Sequence, residues 1–144
     1  MTVFACLRCG TALTGDLAET PIEELPSPSS PSDLPPGETC PAWVPEGRYA
    51  VDPDPFGPPY VPIADDERML VAAGPRNTVL INPDDLLVRR LINDASRLNG
   101  CCGLDGTDGP NLLCGCGAEI ATETSDCWTA QVVRLEPLAV VRAG

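Results

Sequence analysis

Eight cysteines and no histidine, in a chain of 144 residues, leave few ways to build and hold a fold. Five of the eight fall between Cys101 and Cys127, inside the glycine-rich run NGCCGLDGTDGPNLLCGCGAEIATETSDCW. Thiols placed so densely can hold a metal, form disulfides, perform thiol chemistry or simply pack. The rest of the composition gives them weight. Only 4% of the residues are aromatic, while 17 are proline and 13 are glycine, so large side chains supply a modest core. A chain so poor in bulky groups needs another staple, and cysteine is the candidate.

Two fragments repeat one design. CLRCGTALTGD sets Cys6 and Cys9 ahead of Gly10, and CGCGAEIATET sets Cys114 and Cys116 ahead of Gly117. Each is a close cysteine pair, a glycine and a short polar-apolar strand. A tight turn of this kind aims two thiolates at one ion, and two such turns complete a tetrahedral four-thiolate shell. The first pair has Cys-x-x-Cys spacing. The second is one residue shorter, with Gly115 available for a tighter turn. The pattern resembles the zinc ribbon and is similar to the zinc-binding β-tent group, which includes the Yippee-like proteins and methionine sulfoxide reductase B. The resemblance covers Phe4 to Gly15 and Leu113 to Leu135. It implies Zn2+ on Cys6, Cys9, Cys114 and Cys116. The reductase activity does not carry over, because no position matches its catalytic motif.

Cys40, Cys101, Cys102 and Cys127 are left. They offer a second metal or redox group, although adjacent cysteines rarely both reach one ion. A different grouping, also open, joins Cys101 or Cys102 to Cys114, Cys116 and Cys127 in a purely C-terminal site. The plainest alternative makes Cys40 and Cys127 small core side chains. LDGTDGPN is no calcium loop: counted from Asp105, the twelfth position needs a glutamate and holds Cys116. The acids Asp105, Asp108, Glu119, Glu123 and Asp126 read as a solvated face.

The sequence predicts an α+β domain of short, turn-rich antiparallel strands around one main helix. That helix is expected over residues 83–98, in NPDDLLVRRLINDASRLNG. Asn82 is a suitable cap, Pro83 suits the first position, and Leu87, Leu91 and Leu98 recur at helical spacing. MLVAAG, TVLIN and TAQVVRLEPLAVV read as strands. Three regions follow: an N-terminal knuckle over 1–16, a mobile Pro/Ser-rich linker over 17–38, and an α+β domain over 39–144 that carries the C-terminal knuckle.

Charge narrows the function. The net charge is −12, every basic residue is an arginine, and the densest basic cluster is Arg89-Arg90. That argues against nucleic acid and against anionic membranes. No secretory signal or membrane span is evident, so the chain is expected in the cytoplasm, where thiols stay reduced. Without histidine there is no ordinary triad. The expectation is a non-enzymatic zinc protein that serves as an interaction or adaptor module, with an unidentified protein partner. A redox-responsive protein using Cys101-Cys102 is the alternative, and a zinc enzyme with an open site is the third.

Overall fold

A computed structural model describes residues 1–64 and 66–143. The strands are β1 (Val3–Cys6), β2 (Ala18–Glu19), β3 (Arg48–Asp52), β4 (Tyr60–Ile63), β5 (Asp66–Ala72), β6 (Thr78–Ile81), β7 (Arg90–Leu91), β8 (Leu112–Leu113), β9 (Glu119–Thr124), β10 (Val132–Leu135) and β11 (Val140–Ala143). Seven form one mixed sheet in the order β2-β3-β6-β10-β9-β8-β7, in which only the β2–β3 pair is parallel. β1 pairs with β11, and β4 with β5, in separate two-stranded ribbons.

The central strands TVLI and VVRL are buried on both faces, their apolar residues in the core and Arg134 paired with Asp52. Ile81 lies between Tyr49 and Val133, and Val79 between Val51 and Leu135. These rows face one cluster, closed by Phe4, Leu13 and Leu17 from the N-terminal segment. The alternate residues Ala50, Leu80 and Val132 face a second cluster with Val44, covered by Ile22, Leu25 and Trp43. Full burial of a leucine or isoleucine such as Leu80 or Ile81 is worth about 1.5–3 kcal/mol, so this sheet carries the fold. Residues 17–38 therefore supply more than a spacer: Leu17 is buried, Ala18–Glu19 pair with β3, and short 3-10 turns form at Ile22–Glu24 and Pro31–Asp33.

The expected main helix is absent, and the fold is mostly β, not α+β. Among the described residues 83–98 there is a 3-10 turn at Pro83–Asp85, the strand β7, and a 3-10 turn at Ala95–Arg97. The capping signal is used as expected, because the Asn82 side chain accepts from the Asp84 amide at 2.9 Å. The turn then stops, since the backbone finds partners elsewhere. Leu87 N–H donates to the Leu13 carbonyl and Ile92 N–H to that of Asn111. Leu86 and Val88 pack on the core, while Leu87 is 63% exposed. That is a period of two, the signature of a strand-like edge. Arg89 and Arg97 both reach carboxylates of β9, at Glu123 and Glu119.

Candidate metal centre

Cys6 ends β1, and the chain turns back at once. Gly10 N–H donates to the Cys6 carbonyl at 2.8 Å, and Cys6 N–H to the Thr11 carbonyl at 2.9 Å. At the other end of the sequence the same turn is built one residue shorter. Gly117 N–H donates to the Cys114 carbonyl and Cys114 N–H to the Ala118 carbonyl, both at 2.9 Å. In each turn the glycine after the second cysteine has positive φ, +78° at Gly10 and +91° at Gly117, where a side chain would be strained. The missing residue is absorbed inside the turn, and both pairs still present their sulfurs together.

The two turns face each other. Cys6 Sγ lies 3.7 Å from Cys116 Sγ, and Cys9 Sγ lies 3.5 Å from Cys114 Sγ. All four sulfurs lie within 4.8 Å of one another. A tetrahedral ion bound to sulfur at about 2.3 Å places its ligands about 3.8 Å apart, so this group can hold a metal ion. Cys6 and Cys114 are buried, Cys116 is half-buried and Cys9 is exposed. Cys6, Cys114 and Cys116 pack against the larger core cluster, and β11 pairs with β1 right beside them. The Thr11 hydroxyl and amide draw the Cys9 thiol down to about 6, whereas burial pushes Cys114 up to about 11.

The purely C-terminal grouping does not form, because Cys114 and Cys116 turn toward the N-terminal pair. Cys102 and Cys127 meet a different partner, the carboxylate of Asp126. Cys101 shares the loop but is held through its backbone amide, 2.9 Å from Asp126 Oδ2. Cys40 is buried at 2% exposure and belongs to neither group. Asp126 corrects the reading of the nearby acids as a solvated face: it is 3% exposed, and so is Glu123. Asp126 accepts from the amides of Cys101, Cys102 and Cys127, which holds its carboxyl well below the usual range. The hydrogen bond with Cys102, and then burial, push the Cys127 thiol up to about 12. The only sequence signal for this arrangement was an aspartate directly preceding a cysteine.

A second feature invisible in sequence is a cavity of about 350 Å³ whose wall includes Trp43, Phe56, Tyr60 and Trp128, four of the six aromatic residues. Arg134 lies at its edge, with its guanidinium 3.9 Å from the Phe56 ring centre and 2.7 Å from Asp52. Pro28 and Ser29 also line it, and the Trp43 indole N–H donates to the Pro26 carbonyl at 2.8 Å.

Among the described residues no helix is long and apolar enough to cross a membrane. No family model, curated protein or solved structure matches this chain, so the likeness to zinc ribbons and β-tent proteins rests on the knuckle residues alone.

Proposed function

We propose that this is a zinc-binding protein whose ion is structural, and that it acts without catalysis as a protein-interaction module. The observation that carries the zinc reading is the convergence of Cys6, Cys9, Cys114 and Cys116 at sulfur separations suited to one tetrahedral ion. Four thiolates with no imidazole favour zinc or iron, and four protein ligands leave no position for a reacting water. The ion would tie Cys6, at the end of β1, to the turn between β8 and β9. It would thereby fix the N-terminal segment over the core.

Support for the interaction reading comes from the aromatic cavity. Its wall already holds a proline-containing stretch of the chain itself through the Trp43–Pro26 hydrogen bond. Aromatic walls with an indole donor suit extended, proline-containing protein segments. Elemental analysis of the purified protein after brief treatment with chelator tests the zinc reading. One firmly held zinc per chain is expected, with cobalt replacement giving tetrahedral thiolate absorption. A metal-free protein that stays folded and indifferent to chelator would overturn it.

A further inference from the structure

Asp126 stands at the centre of a cluster that the knuckle site does not use. Its Oδ1 accepts from the Cys102 amide at 3.0 Å, the Cys127 amide at 2.8 Å and the Cys102 thiol at 3.4 Å. Its Oδ2 accepts from the Cys101 amide at 2.9 Å. Three backbone donors thus fix one carboxylate between two thiols, with one donor atom from each of Cys102, Asp126 and Cys127 within 4.8 Å of the others.

The loop is shaped for this contact. Gly103 lies so close to β9's exit that a Cβ there would run into the Ser125 carbonyl, and one at Gly100 would run into the carbonyl of Gly103. Ser125 N–H donates to the Leu104 carbonyl at 2.8 Å, and Asp105 N–H to that of Asn99 at 2.9 Å, closing the loop on both sides. The Gly-Cys-Cys-Gly sequence therefore allows an approach that larger residues would block. Cys102 and Cys127 also line a cavity of about 430 Å³, together with Pro31, Glu38, Thr39 and Trp128.

We propose that Cys102, Cys127 and Asp126 form a second metal site, independent of the four-cysteine centre, for a thiophilic divalent cation such as zinc or cadmium. A carboxylate has about four lone-pair sites, and the backbone amides use three here. Oδ1 is shared by two of those amides and the Cys102 thiol, so the free lone pair lies on Oδ2, which carries the Cys101 amide alone. When the cation binds, Cys102 and Cys127 each lose a proton to solvent. The ion then replaces the two thiol protons and draws on the carboxylate's free lone pair, and no electron transfer is involved. Three protein ligands leave a coordination position toward the cavity, so this site is open where the knuckle site is closed. Such a site holds its ion less firmly, because it has fewer thiolates and is reached from solvent.

The test is titration of the full-length protein, carrying its firmly bound ion, with cadmium under a non-thiol reductant. One further equivalent should bind, seen as new sulfur-to-metal charge-transfer absorption. Cys102→Ser and Cys127→Ser should each abolish that equivalent while the firmly bound ion remains, and Cys101→Ser should preserve it. Gly103→Ala should weaken it by about tenfold or more, as expected when a ligand loop is displaced. Saturation without a further equivalent, or its persistence in both serine variants, would overturn the proposal. Loss of the firmly bound ion in Cys6→Ser with retention of the cadmium equivalent would show that the two sites stand apart. If the wild-type protein lacks the firm ion but still gains an equivalent that depends on Cys102 and Cys127, the structural-zinc reading fails and this one survives.

Discussion

Arg89 meets Glu123 through two parallel hydrogen bonds, Nε to Oε1 at 2.7 Å and Nη2 to Oε2 at 2.6 Å. The arginine side chain is 50% exposed and the glutamate 4%, so the pair is lopsided. Ser125 adds a donor to Glu123 at 2.9 Å, and Asn111 brackets its backbone. Arg89→Ala leaves a buried carboxylate without its cation and should cost about 2 kcal/mol or more. Glu123→Gln leaves an arginine that can turn to water and should cost less. Urea unfolding of both variants checks the order, and equal losses would count against this account.

Cys6→Ser and Cys9→Ser should unsettle the whole domain. Cys6 is paired across to Val140, and its turn holds the N-terminal segment over the main core. Loss of one ligand should lower metal content and reduce stability by about 3 kcal/mol or more, since binding and folding are coupled. Melting followed with elemental analysis is the check. Unchanged melting with full metal content would show that the ion sits elsewhere.

Glu136 predicts a pH effect. Burial raises its pKa, opposed by the Thr122 hydroxyl at 3.4 Å and assisted by the charge of Glu119. A raised carboxyl favours the fold in its protonated form. Its stabilising contribution is complete below the unfolded glutamate pKa and is lost as pH rises through the folded value. Glu136→Gln should therefore raise stability at neutral pH, by less than about 1 kcal/mol, and change little in acid. Thermal melts of the two proteins across that range should converge as pH falls.

The stretch from Pro26 to Glu38 should be the first cut by protease. It is mostly exposed and holds no regular strand, and its indole contact at Pro26 is a single hydrogen bond. The residues before it, where Leu17 is buried and β2 joins the sheet, should resist. Mass spectrometry of limited digests checks this, and early cuts before Thr20 would contradict it.

The cysteine pairs and the glycines after them were legible in sequence because a knuckle is local: its turn is complete within a few residues. The strand TVLI was legible for a similar reason, as a short apolar run after a turn signal, whereas TAQVVRLEPLAVV reads as one strand and is divided between β10 and β11 in different sheets. The stretch from Pro83 to Leu98 departs from its helical pattern because helical spacing of leucines is only a local preference. Glu119 and Glu123 on β9 give its arginines partners, and Leu13 and Asn111 give its backbone acceptors. No window of neighbouring residues contains those contacts. The same holds for Asp126, which looks like one more surface acid until the loop of Gly100 and Gly103 folds two amides onto it, beside that of Cys127. Local turn chemistry was written in the order of residues. Which cysteines share a site, and which acids are buried, was decided by pairings across the sheet, because those energies exist only once distant strands have met.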